Sequence, residues 1–82
     1  MKLKLGTNQQ ILVDALAEML KTRTLPISFD ELVEYAVSKQ KTDNEEKRRL
    51  ALAVSLNSVK LDQCIVFNNH NQITDFRSYL LG

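Results

Sequence analysis

Tryptophan is absent from this sequence, and cysteine, proline and histidine occur once each. A lone cysteine, Cys64, excludes an intramolecular disulfide framework, the usual staple of small secreted domains. One cysteine and one histidine, His70, cannot build a closed zinc site. Glycine is nearly as scarce, with only Gly6 before the terminal Gly82, so no glycine-rich loop exists to cradle a phosphate. With Pro26 as the one proline there is no linker or low-complexity tract, and the loops should be short. An excess of one charge sign is lacking too: eleven basic residues face ten acidic ones, for a net charge of +1. The distribution of charge, not its sum, must therefore carry any case for a nucleic-acid partner. Long apolar runs are missing as well. Leu50 to Val59 is about half the length that spans a bilayer, and it contains Ser55, Asn57 and Ser58. Met1 to Leu5 is too short and too charged to read as a signal peptide. These absences lead to the expectation of a soluble, cytoplasmic protein.

What is present is ordinary for a folded chain. Apolar residues make up 44% of the 82 positions, which argues against wholesale disorder. The length suits one domain over residues 1–82, with a thin core. Thr7 and Gln10 form a T-x-x-Q capping box, and Ile11, Leu12, Ala15, Leu16, Met19 and Leu20 recur behind it at helical spacing. The run Thr22-Arg23-Thr24 ends that helix. Leu25-Pro26-Ile27 reads as a very short edge strand, since Pro26 keeps its neighbour extended. Ser28 and Glu31 make a second capping box, followed by the amphipathic pattern of Phe29, Leu32, Val33, Ala36 and Val37. Thr42-Asp43-Asn44 breaks the chain again. Thr42 with Glu45, or Asp43 with Glu46, then caps a third helix that runs to about Val59.

The third helix is apolar on two sides. Leu50, Val54 and Leu61 cluster on one, and Leu52, Leu56 and Val59 on nearly the opposite one, at 100° per residue. Leu16, Phe29, Leu32, Leu50 and Val54 are the expected meeting point of the three helices. Leu52, Leu56 and Val59 either pack under the segment that follows or form a dimer or partner surface. After Lys60-Leu61-Asp62 the period changes. Gln63 to Phe67 is β-rich, Asn68-Asn69-His70-Asn71 is a turn, and Gln72 to Phe76 alternates like a second strand, which together read as a hairpin. His70 is read as a turn residue and Cys64 as a small buried hydrophobe. Tyr79, Leu80 and Leu81 are expected to pack back on the body. Met1-Lys2-Leu3-Lys4-Leu5 alternates and suits addition to a sheet edge.

The order helix, short strand, helix, helix, hairpin resembles the winged-helix variant of the helix-turn-helix fold. The resemblance covers most of the chain and rests on topology and hydrophobic rhythm. It implies an α+β fold: a three-helix winged-helix-like domain with a C-terminal β-hairpin. Leu25-Pro26-Ile27 would pair with the hairpin, Ser28 to Gln40 would be the second helix, Asn44 to Val59 the recognition helix, and Gln63 to Phe76 the wing. Three departures stand out. Family members often carry a glycine before the wing, where this chain has Lys60-Leu61-Asp62; the short connection from Gln40 to Asn44 has no glycine; and the asparagine-rich wing tip holds no lysine or arginine.

Between the two apolar groups of the third helix lies a sector of Lys47, Arg48, Ala51, Ser55 and Ser58. Small residues let a helix approach a groove closely, and basic residues near its N-terminus reach phosphates or base edges. The expectation is a small DNA-binding protein of transcriptional-regulator type, with the third helix in the major groove of double-stranded DNA. The alternative is a protein-interaction module that does not bind DNA, such as an adaptor, a complex subunit or a phage-type inhibitor, with Leu52, Leu56 and Val59 facing a protein partner or a second copy. The charges speak softly for the first: Lys39 to Arg49 holds five basic and three acidic residues, a small electrostatic footprint. No nucleophile motif is recognisable, so no enzyme activity, cofactor, metal, small-molecule substrate or membrane partner is expected.

Overall fold

The computed structural model describes residues 4–57, 61 and 63–80. Its elements are α1 (Thr7–Met19), β1 (Ile27–Ser28), α2 (Phe29–Ser38), α3 (Glu45–Leu56), β2 (Ile65–Phe67) and β3 (Gln72–Phe76), with a 3₁₀ turn at Ser78–Leu80. The three strands form one antiparallel sheet in the order β1-β3-β2. This is the α+β, winged-helix-like arrangement with a C-terminal hairpin that the order of elements implies.

Local chemistry sets where each helix starts. Gly6, not Thr7, is the N-cap of α1. Its N–H donates to Gln9 Oε1 at 2.8 Å, one half of a capping box, displaced by one residue from the Thr7–Gln10 expectation. Ser28 caps α2 as expected, its hydroxyl accepting from the Glu31 N–H at 3.0 Å. Asn44 caps α3 by accepting from the Lys47 N–H at 3.1 Å, while Thr42 Oγ1 accepts from the Asn44 N–H at 3.2 Å. The cap thus falls one or two residues later than either expected pair. Acidic residues fill the first turns of α2 and α3, where they complement the positive end of the helix. Asn57 is the C-cap of α3; Val59, the expected end, lies outside the described residues.

The core is a single cluster. Leu12, Val13, Ala15, Leu16 and Met19 of α1 meet Leu32, Val33, Ala36 and Val37 of α2. From α3 only Leu52 and Leu56 are buried, both at 0% exposure, and Leu61, Cys64, Ile65 and Ile73 close the cluster on the sheet side. Ile27 sits opposite Ile73 across β1 and β3, and both are fully buried. Burial of Cys64 pushes its thiol pKa up. Leu16 and Leu32 occupy the expected core, and Phe29 is partly buried against the Phe67 ring, 5.9 Å between centroids. Leu50 and Val54 correct the expectation: they are 66% and 72% exposed. Leu61 lies in the core rather than beside them. Leu80 packs on the core, whereas Tyr79 is 71% exposed; Leu81 lies outside the described residues.

The hairpin is pinned by its own asparagines. Asn68 Oδ1 accepts from the backbone N–H groups of His70 (2.8 Å) and Gln72 (3.0 Å), and Asn71 adopts the left-handed conformation at φ 55°. The Asn71 carbonyl accepts from the Phe29 N–H at 2.8 Å, which ties the turn to the start of α2. Between β2 and β3 the register slips: Val66 faces Asp75 and Phe67 faces Ile73, leaving Thr74 as a bulge.

Candidate functional site

The orientation of α3 decides what this domain presents. Its inward stripe is Leu52 and Leu56, so these two residues are core and not a partner surface. Both belong to the core cluster where α3 meets α1 and α2, and no side of them is left for a second chain. Val59, the third member of that expected interface, lies outside the described residues, as does Ser58 of the expected DNA-contact sector.

Arginines fix this orientation. Arg48 is partly buried, and its Nη2 donates to Asn8 Oδ1 (3.1 Å) at the start of α1 and to Gln40 Oε1 (3.3 Å) beyond α2. Arg49 donates from Nη2 to Glu34 Oε1 of α2 at 3.0 Å and from Nη1 to Glu46 at 2.8 Å, and its Nε also meets the Glu34 carboxylate. The Arg49 guanidinium holds the Glu34 carboxyl below the usual carboxylate range, and Glu34 in turn raises the Arg49 pKa. Both arginines therefore spend their donors on the protein itself. Lys47 is the exception: it is exposed and has no ion pair among the described residues.

The outward face follows directly. Lys47, Leu50, Ala51 and Val54 stand at i, i+3, i+4 and i+7, one continuous strip. Ser55 and Ala51 are half-buried along its edge, and Glu46 and Asn57 are exposed beside it. Of the expected DNA-contact sector, then, Lys47, Ala51 and Ser55 reach the surface together and Arg48 turns inward. The residues not foreseen in the surface are Leu50 and Val54. Such a strip is an aliphatic pair with a small residue between and charged residues at one end, the composition of an apolar contact patch with a polar rim.

Among the described residues no group of three His, Cys, Asp or Glu side chains is placed to share a metal ion. His70 is exposed at the hairpin turn, remote in kind from the buried Cys64 thiol. No helix among the described residues is long and apolar enough to cross a membrane. Comparison with protein-family models, curated proteins and solved structures finds no match.

Proposed function

We propose that this domain is a protein-interaction module and that the outer strip of α3 is its contact surface. The observation that carries this reading is the exposure of Leu50 and Val54, one helical turn apart, on the outward face of α3. Burying an aliphatic side chain against a partner is worth about 1.5–3 kcal/mol when complete. Ala51 between them allows a partner's ridge to come close. The partner that fits presents an apolar ridge of its own, such as one face of an amphipathic helix.

Duplex DNA is served less well by the same strip. Nonspecific affinity grows with each phosphate neutralised, and on this face Lys47 is the one cation left unpaired among the described residues, with Glu46 beside it. Leu50 and Val54 would be carried into a polar groove without a hydrogen bond to offer base edges.

The test compares the wild-type chain with a Leu50→Glu, Val54→Glu double variant and with Lys47→Ala. Circular dichroism and thermal melting should find all three equally folded. The expected result is that a protein partner retained by the wild type is lost by the double variant and kept by Lys47→Ala, and that duplex binding at low salt is negligible for all. Tight duplex binding that weakens in Lys47→Ala, with a flatter dependence of log K on log salt, would overturn the reading in favour of DNA.

A further inference from the structure

A hollow of about 170 Å³ lies between α1 and α2. Ile11, Asp14, Ala15 and Glu18 form one wall, and Ala36, Lys39 and Gln40, at the C-terminal end of α2, form the other. Its cause is the pair of small residues at its floor. Ala15 and Ala36 are 5% and 0% exposed, and short side chains leave space that longer ones would fill. The α1 residues recur at i, i+3, i+4 and i+7, so the hollow is a short groove along that helix. It is too small for a drug-sized ligand, which needs about 300 Å³ or more, but of the right order for one side chain.

Charge around the groove is uneven. The Lys39 ammonium is already engaged, 2.9 Å from Glu18 Oε1 and 5.1 Å from the Tyr35 ring centre. Glu18 also accepts from the Tyr35 hydroxyl at 2.8 Å. Asp14 has no cation among the described residues. Its Oδ1 accepts from Gln10 Nε2 at 2.9 Å, which leaves Oδ2 open. The last carbonyls of α2 add partial negative charge at the same end.

These features choose the occupant. An anion meets two carboxylates and a lysine that is already paired. A purely aliphatic side chain fills the space but covers Asp14 without replacing its water. Arginine carries the same charge on a shorter apolar stem. Lysine matches on both counts, with an apolar stem and a single-point cation. We propose that the groove between α1 and α2 binds a lysine side chain of a partner polypeptide, its stem on Ile11 and Ala15 and its ammonium on the Asp14 carboxylate. The site is separate from the α3 strip and stands or falls independently of it.

The experiment is a titration of the isotope-labelled full chain, followed by amide NMR shifts, with Nα-acetyl-lysine methylamide as the probe. The norleucine analogue, with the same stem length and no charge, is the control. Saturable shifts are expected at Ile11, Asp14, Ala15, Ala36, Lys39 and Gln40. In Asp14→Asn they should need about two- to five-fold more probe, the range an exposed ion pair commands, and the norleucine analogue should bind the wild type as weakly. No saturable shift, equal binding of the two analogues, or undiminished binding to Asp14→Asn would each overturn the proposal. The two-analogue comparison uses only wild-type protein, so it decides the matter even if the variant folds poorly.

Discussion

Two leucines a half-turn apart on α3 should respond oppositely to the same substitution. Leu52 is 0% exposed and Leu50 is 66% exposed. Leu52→Ala removes buried methyl groups and leaves a cavity, at a cost of about 2.7–5 kcal/mol. A chain of this length has only about 4–12 kcal/mol in all, so the variant should be close to unfolding. Leu50→Ala takes away atoms that are mostly in water already, and alanine is the better helix former, so the net change should lie within about 0.5 kcal/mol. In thermal terms Leu52→Ala should lower Tm by more than about 10 °C, since about 4–8 °C accompanies each kcal/mol in a small domain. Urea unfolding followed by circular dichroism measures both variants, with the slope against urea checking that the two-state comparison is fair. Equal costs, or a larger cost for Leu50→Ala, would refute the orientation of α3 and with it the apolar contact surface.

Arg48→Ala should cost about 1–2 kcal/mol in urea unfolding, because the guanidinium joins α1 and the end of α2 from α3 and such charge-assisted hydrogen bonds are worth about that much; a neutral outcome would mean that Arg48 is free for other work. Stability should fall in acid. The Glu18 carboxyl is held low by Lys39 and then Tyr35, Glu31 by Arg23 and then Ser28, and Glu34 by Arg49. A carboxyl depressed in the folded state contributes stability above its ordinary value of 4.5 and loses it as pH drops through the lower folded value. The urea midpoint should therefore be flat at neutral pH and decline below 4.5, and replacing the three residues by glutamine should flatten that decline. An acid limb unchanged by the triple substitution would assign it to other groups. At the hairpin turn, Asn71→Gly should be tolerated while Asn71→Ala costs about 1 kcal/mol, the penalty of a left-handed alanine; equal midpoints for the two would contradict the φ of 55°.

Much of the fold is legible because its boundaries are written in short-range chemistry. Ser28 and Glu31 mark the start of α2, and four consecutive polar residues from Asn68 to Asn71 mark the hairpin turn. Caps slip by a residue or two where neighbouring polar residues compete. At α1, Thr7 offers a hydroxyl, yet Gly6 holds the extended conformation and Gln9 reaches its N–H. The phase of α3 is not legible, for a definite reason. Leu50-Ala51 with Val54 and Leu52-Ala53 with Leu56 are the same spacing displaced by two residues, which turns one into the other by about 200° on the helix. Hydrophobic periodicity scores them alike. What separates them is tertiary: Arg49 finds Glu34 fifteen positions away, and Arg48 finds Asn8 forty positions away.

With Leu50 and Val54 inside, the outward side of α3 would have offered Arg48 and its small neighbours to a DNA groove. With Leu52 and Leu56 inside, the arginines are drawn into the helix junctions and an aliphatic pair is left in water. A monomer has room for only one of two such stripes in a three-helix core. The remaining stripe is largely in water, so polar substitutions there should leave stability within about 0.5 kcal/mol. On the proposed reading, a partner covers this exposed pair. Leu50 and Val54, and not the buried pair first expected to face a partner, are therefore the residues whose replacement separates binding from folding.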